Sequence, residues 1–189
     1  MSSQRKNLIL WRHAEAQDIL LAGSDFSRAL TAKGESQAAV MAGWIKQHLP
    51  QDICIIASPV IRAEQTVQAL NLPYKINKNL LPEASIDSVL QLVQEIFQQE
   101  NSNIMLVGHQ PWLGQVAAYF LQIQPAEISI KKSAVWWLEQ KISAQKLTQQ
   151  KIATKKIKAQ KVFSQQEAND LVDERFKLVL VQSPRFILK

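Results

Sequence analysis

Five short apolar runs constrain the fold of this chain more than any other feature of its sequence. Each has four or five residues and is almost entirely apolar on both faces, as expected of strands in a sheet that helices cover on each side. The runs are Leu8–Trp11, Ile53–Ala57, Ile104–Val107, Ala134–Leu138 and Lys177–Val181.

Longer stretches with apolar residues at helical spacing lie between the first four runs. One is bounded by Thr31, a predicted N-cap, and Pro50, and another is predicted to start at Ser58 and Pro59. Two more are expected at Ile86–Phe97 and Pro111–Leu121. Strands that alternate with helices predict an α/β fold, here a three-layer sandwich with a mostly parallel central sheet.

Residues 141–174 interrupt this alternation. The segment is rich in Lys and Gln and poor in apolar residues, so we interpret it as an insertion into a single domain that spans residues 1–189. The net charge of the chain is +6, but residues 1–140 carry 11 basic and 12 acidic side chains, whereas residues 141–161 carry seven lysines and no acid. Lysines without interleaved aromatic residues provide no stacking platform for bases, so we expect no nucleic-acid partner.

The cysteine and histidine content limits the kinds of site that the chain can build. Cys54 is the only cysteine, which excludes an intramolecular disulfide and a cysteine-rich zinc site, and only three histidines are present. The sequence also lacks a P-loop and a G-x-G-x-x-G motif, so we expect no metal and no cofactor. Because no apolar run approaches the roughly 20 residues of a membrane span or resembles a secretory signal, we expect a cytoplasmic protein without a membrane partner.

Basic residues near the strand ends form the candidate functional site. Arg12 and His13 follow the first strand, Arg62 lies in the first turn of the helix after the second, and His109 follows the third. Taken singly, such an arginine is usually a solvated cap and such a histidine is usually structural, which is how we assign His48. Since open α/β sheets bind ligands beyond the carboxyl ends of their strands, the convergence of four such residues indicates one site.

Two arginines and two histidines at one site are suited to phosphoryl chemistry. Guanidinium groups present forked donors that match phosphoryl oxygens, and the helices predicted after Ser58 and His109 add positive N-terminal dipoles. No carboxylate cage for Mg²⁺ is evident, so the protein itself would neutralise the phosphoryl group. One imidazole can then attack phosphorus while the other donates a hydrogen bond to an equatorial oxygen.

Four ordered motifs and the carboxyl terminus carry a resemblance to a known family. LILWRHAEA at Leu8–Ala16 resembles the Arg-His-Gly motif of the histidine phosphatase superfamily, whose fold is called phosphoglycerate mutase-like. The remaining motifs are ALTAKGESQA at Ala29–Ala38, ASPVIRAEQT at Ala57–Thr66 and LVGHQPWLG at Leu106–Gly114. The final VQSPRFILK is similar to the end of the small phosphohistidine phosphatase, SixA-like branch, and the resemblance covers roughly residues 1–140 and 175–189.

The resemblance implies a role for each matching residue. His13 would be the nucleophile that becomes phosphorylated. Arg12, Arg62 and His109 would bind the phosphoryl group and stabilise its trigonal-bipyramidal transition state. Arg28 would help to bind the phosphate or a protein substrate.

Two positions depart from the family's pattern. Ala14 replaces the glycine that follows Arg-His, and its β-carbon is tolerable only if the residue avoids a positive φ. The general acid of larger relatives is a carboxylate, for which Glu83 is the nearest match. An exposed glutamate that opens the next helix is an equally good interpretation of Glu83.

The short distance between motifs favours one substrate class. The 46 residues from 63 to 108 are largely used by two helices and their connections, which leaves little room for a lid over the site. An open site suits a phosphate displayed on a protein, and the ready departure of imidazole from phosphohistidine makes a weak general acid tolerable. We therefore expect a metal-independent phosphohistidine protein phosphatase whose partners are histidine-containing phosphotransfer or phosphocarrier proteins.

Two alternatives remain open at this point. The same scaffold can serve a small-molecule phosphomonoesterase. It can also serve as a catalytically silent phosphoprotein-binding module in which the basic insertion docks partners, although the intact set of arginines and histidines argues against that function.

Overall fold

A computed structural model describes residues 4–50, 52–99, 102–124, 128–142 and 176–187. The described residues form one six-stranded sheet in the order β3-β2-β4-β1-β5-β6. The strands are β1 Gln4–Arg12, β2 Cys54–Ala57, β3 Lys75–Ile76, β4 Asn103–Gly108, β5 Val135–Ile142 and β6 Lys177–Gln182. The α-helices are α1 Ile19–Ala22, α2 Ala32–His48, α3 Ile61–Gln68, α4 Ile86–Gln98, α5 Trp112–Leu121 and α6 Pro184–Ile187, and a 3₁₀ helix spans Lys78–Leu80.

Five of these six strands run in one direction, which confirms the predicted mostly parallel sheet. β3, β2, β4 and β1 pair in parallel, whereas β5 pairs antiparallel with β1, and β6 pairs antiparallel with β5. The reversal of β5 brings its beginning to the end of β1, where the backbone N–H of Arg12 donates to the carbonyl of Ala134. β5 therefore supplies backbone to the same sheet edge at which β1 and β4 end.

The sheet separates two apolar layers, as a three-layer sandwich requires. Along β1, Leu8 and Leu10 face the layer that contains α4 and α5, and Ile9 and Trp11 face the layer that contains α2. All four side chains are fully buried. This alternation follows from the period of two in a strand, and it explains why the run is apolar on both faces.

Most predicted helices are confirmed, and one begins later than expected. Thr31 caps α2 by accepting a hydrogen bond from the N–H of Gly34, as predicted. The helix predicted to start at Ser58 and Pro59 instead begins at Ile61. The reason is that the N–H of Ser58 still donates to the carbonyl of Val107, so the chain leaves the sheet only after Ser58.

The predicted insertion lies almost entirely outside the described residues. The insertion was expected to begin at residue 141, but β5 continues through Ile142 and so includes its first two residues. Residues 143–175 are not described. The insertion and the single-domain boundaries at 1 and 189 therefore stay predictions. Among the helices that are described, none is long and apolar enough to cross a membrane.

Candidate active site

The parallel pairing of β1 with β4 places His13 beside His109. Arg12 and Gly108 are partners in the register. His13 and His109, which directly follow them, therefore lie side by side at the carboxyl edge of the sheet. The N–H of His13 donates to the carbonyl of Gly108, and the two imidazole centroids are 5.0 Å apart. Both side chains are buried.

The two arginines approach this pair from different elements. Arg62, in the first turn of α3, is 3% exposed, and Arg12 ends β1. One terminal nitrogen of Arg12, Nη1, donates to the carbonyl of Ile130 at 2.7 Å. Burial lowers the pKa of Arg12, and the positive charge of Arg62 lowers it further. The structure thus brings together the four residues that the strand ends predicted.

His13 is held in a neutral form that suits a nucleophile. Burial is the main cause of a pKa lowered to about 3. A hydrogen bond to the Ala14 carbonyl raises the pKa, whereas the positive charges of Arg62 and Arg12 lower it further. Nδ1 of His13 lies 2.7 Å from that carbonyl oxygen. Because a carbonyl only accepts, Nδ1 must carry the proton of the neutral ring, which leaves a lone pair on Nε2.

His109 is also neutral at pH 7, since burial lowers its pKa to about 2 with help from His13 and the nearby arginines. Neither of its ring nitrogens has a hydrogen-bond partner among the described residues. A neutral imidazole has one N–H, so His109 can donate one hydrogen bond to a group placed between the two rings.

Several further buried polar atoms at this sheet edge lack a partner in the described part of the chain. They are Nε of Arg12, Nε of Arg62 and the hydroxyls of Ser58 and Ser133. An unpaired buried donor costs roughly 1–3 kcal/mol, so their concentration at one edge is unfavourable unless a ligand pairs with them. A tetrahedral oxyanion has the charge and the number of acceptor oxygens to do so.

Asp25 contacts the site and was not among the residues predicted from the sequence. Its Oδ2 accepts from Nη2 of Arg62 at 2.7 Å, and its backbone carbonyl accepts from Nη1 of the same guanidinium at 2.5 Å. Its Oδ1 accepts from Nη1 of Arg28 at 3.0 Å. Although partial burial raises the pKa of Asp25, the hydrogen bonds and charges of the two arginines outweigh it and lower the pKa overall. Asp25 is therefore a fixed carboxylate that orients Arg62.

Arg28 lies beside Asp25, and its predicted role in binding the phosphate or a protein substrate stays a prediction. Its Nε donates to the carbonyl of Gln17 at 2.6 Å, and one of its terminal nitrogens binds Asp25. The Asp25 carboxylate thus binds both Arg28 and Arg62, and part of the Arg28 side chain stays exposed.

Glu83 lies on the surface, in the turn before α4. The indole of Trp112 donates to the carbonyl of Leu81 at 3.1 Å, and its ring lies so close to Gly108 that a β-carbon there would come within 2.1 Å. The turn is therefore fastened to the segment that carries His109. No described hydrogen bond or ion pair joins the Glu83 carboxylate itself to the four central residues.

The replacement of the motif glycine by Ala14 is accommodated without strain. Of the described non-glycine residues, those with a positive φ are Asn71, Gln122 and Ser133, so Ala14 keeps an ordinary backbone. Its methyl group is buried against Ala16, Leu30 and Ala38, and its N–H donates to the hydroxyl of Thr66.

His48 lies outside the site, near the end of α2, where its ring stacks on Trp44 at 4.4 Å, in keeping with the structural role expected of it. Across the described ranges, no group of three or more His, Cys, Asp or Glu residues is placed to hold a metal ion.

Comparisons with known proteins identify similar sequences and folds. A family model described as the histidine phosphatase superfamily (branch 1) matches residues 8–84. The phosphohistidine phosphatase SixA homolog of Haemophilus influenzae is 27% identical over 125 residues, which cover 59% of this chain and 75% of that protein. The residues that the family model matches include Arg12, His13 and Arg62.

Solved structures share the fold at lower sequence identity. The protein histidine phosphatase SixA complexed with tungstate aligns with a TM-score of 0.70 and 20% identity, covering 97% of this chain and 99% of that one. A mycobacterial glucosyl-3-phosphoglycerate phosphatase aligns with a TM-score of 0.60 and 16% identity, covering 72% and 91%. The same fold therefore occurs in phosphatases named for a protein substrate and for a small-molecule substrate.

Proposed function

This chain belongs to the histidine phosphatase superfamily, in its SixA-like branch, and is a phosphatase; on that premise we propose that it removes phosphate from phosphohistidine in proteins through a phosphorylated His13. The observation that carries the proposal is the state of His13. Its ring is neutral, its Nδ1 proton is held by the Ala14 carbonyl, and its Nε2 is free to attack.

The first step transfers the phosphoryl group between two imidazoles. Nε2 of His13 forms a bond to phosphorus while the bond from phosphorus to the substrate nitrogen breaks. A solvent proton on the other nitrogen of the substrate ring lets that ring leave as neutral imidazole, so no acid of the enzyme is required. Nε of Arg12, Nε of Arg62 and an N–H of His109 would bind the oxygens that carry the charge of the transition state.

The second step releases inorganic phosphate. Water forms a bond to phosphorus, the bond to Nε2 of His13 breaks, and the water proton passes to the phosphate or to solvent. Because Nδ1 of His13 already carries a proton, the ring leaves as neutral imidazole and returns to its starting form.

A small-molecule phosphomonoesterase is the second candidate, and the described carboxylates argue against it. An alkoxide leaving group needs a proton donor, whereas Asp25 is ionised and bound to two arginines. Glu83 would have to supply the proton from the surface. Phosphohistidine avoids this requirement, which is why we favour it.

A substrate panel tests the proposal. We would compare a histidine-containing phosphotransfer domain phosphorylated on its histidine, free phosphohistidine, p-nitrophenyl phosphate and a sugar phosphate. We expect the highest kcat/KM for the phosphorylated domain, with and without a chelator, because we propose a metal-independent reaction. A higher kcat/KM for either phosphate ester would favour the small-molecule alternative, and no turnover of any substrate would favour the silent binding module.

A further inference from the structure

A group of exposed apolar side chains lies beside the candidate site. We call it the apolar rim: Ile19, Leu20, Leu21, Phe26 and Ile61. Leu20 and Leu21 are 90% and 83% exposed, and α1, which carries both, has no buried residue. Exposed apolar side chains that cluster on a protein surface mark interaction sites more often than exposed apolar side chains that occur singly.

The apolar rim is held in place by hydrogen bonds. The side chain of Asp18 caps α1 by accepting from the N–H of Leu20, and Gly23 ends the helix in a left-handed conformation. The hydroxyl of Ser27 donates to the carbonyl of Ala22 at 2.6 Å, which closes the loop on itself. The leucines are therefore presented by a defined loop.

Two members of the apolar rim, Phe26 and Ile61, adjoin the residues proposed to bind the phosphoryl group. Asp25 precedes Phe26 and binds Arg62, and the N–H of Ile61 donates to the carbonyl of Phe26. Another side of the site is cationic, because Lys132 is exposed and its charge contributes to the lowered pKa of His13. The site thus combines an anion pocket, a positive side and an apolar side.

We propose that the apolar rim docks the folded protein that carries the phosphohistidine, through apolar side chains next to the phosphorylated residue. The inference rests on the proposed function and specifies how the substrate is recognised. A phosphoprotein can occupy both the anion pocket and the apolar rim. Its phosphoryl group complements the arginines, and the surface around its phosphorylated residue covers the leucines. A free phosphorylated amino acid fills the pocket and leaves the apolar rim in water.

The double variant Leu20→Ser, Leu21→Ser tests the docking surface. Both side chains are outside the core, so the fold should tolerate the change. We expect kcat/KM for a phosphorylated histidine-containing phosphotransfer domain to fall about tenfold or more, as for interface residues that bind strongly. With free phosphohistidine, which has the same leaving group, kcat/KM should stay within about twofold of the wild-type value.

A matched control variant separates docking from a general loss of apolar surface. Leu72 and Ile123 are exposed to 41% and 43%, and they follow the carboxyl ends of α3 and α5, whose amino ends face the site. The double variant Leu72→Ser, Ile123→Ser should act on both substrates like the wild type.

Several results would overturn the docking proposal. In the Leu20, Leu21 variant, these are an unchanged kcat/KM for the phosphorylated domain or an equal loss of kcat/KM on both substrates. The proposal is also wrong if the wild type binds phosphatidylglycerol–phosphatidylcholine vesicles and the variant does not, or if the wild type is a dimer that the variant dissociates. A wild type that hydrolyses free phosphohistidine but not the phosphorylated domain would also overturn it. A wild type that hydrolyses neither would overturn the proposed function as well.

Discussion

The rings of His13 and His109 lie 5.0 Å apart between their centroids, and neither is charged at neutral pH. An exposed histidine has a pKa near 6.5, whereas burial lowers the pKa of these two to about 3 and about 2. We predict that ¹⁵N NMR will show His13 as the neutral Nδ1–H tautomer from pH 8 down to pH 5. A charged His13 ring at pH 6 in the free enzyme would contradict the prediction.

The same pKa values predict how stability depends on pH. Below about pH 6.5 the unfolded chain binds protons at His13 and His109 that the folded chain does not, so the free energy of unfolding should decrease as pH falls toward 3. Urea unfolding between pH 7 and pH 4.5 measures this slope. The variant His109→Gln, which has one titrating group fewer, should show a shallower slope than the wild type.

The nucleophile can be identified by trapping the intermediate. We predict that His13→Ala lowers turnover of phosphohistidine by at least about 10³-fold and removes an acid-labile phosphoenzyme detected by rapid quench, because hydrogen bonding cannot replace a nucleophile. His48→Ala, on the exposed end of α2, should change neither. Label that persists on His13→Ala would show that another residue is phosphorylated.

The variant Asp25→Asn tests whether Asp25 acts by positioning the Arg62 guanidinium, because it removes the negative charge that binds this group. We predict a fall in kcat of about 10- to 100-fold with phosphohistidine, because a small displacement of a positioning group is costly. Loss of the negative charge should leave the Kd for tungstate unchanged or lower, and Asp25→Glu should restore part of kcat. If tungstate bound more weakly in proportion to the fall in kcat, Asp25 would be needed to form the pocket and not only to orient Arg62.

Gly34 and Gly43 lie in the same helix, α2, but differ in the space available for a β-carbon, so alanine at each position should change the free energy of unfolding in opposite directions. A β-carbon on Gly34 would lie 1.9 Å from the carbonyl oxygen of Glu15, whereas one on Gly43 would meet no atom within 4 Å. We predict that Gly34→Ala destabilises the protein by about 2 kcal/mol or more through overpacking, and that Gly43→Ala stabilises it by about 0.5–1 kcal/mol. Urea unfolding of both variants at pH 7 compares them, and similar stabilities would show that the loop after β1 can move away from α2.

The central residues of the site were predictable because they follow directly from strand ends. A buried apolar run locates a strand, and parallel strands bring the residues after them to one edge, as with His13 and His109. Arg62 was predictable for a related reason, since it lies one turn into the helix after β2.

Asp25 could not be predicted in the same way. It lies 37 residues from Arg62, in a loop with no apolar period, and the contact depends on how that loop folds back over the start of α3. The direction of β5 was missed for a similar reason, because an apolar run has the same composition in either orientation. The short elements α1, β3 and α6 have two to four residues, too few for a periodic pattern.

The reversal of β5 has a consequence for how the chain tolerates variation in length. β5 begins next to Arg12 at the site and ends at Ile142, which pairs with Gln4 at the opposite end of β1. β6 starts from that same end, since Lys177 pairs with Glu139. At roughly 3.3 Å per residue, Ile142 lies about 26 Å along β1 from Arg12, and Lys177, level with Asn7, lies about 17 Å from it. Because both ends of this connection leave the sheet away from the pocket, we expect a change in its length to act first on the strands at that end and only through them on the reacting histidines.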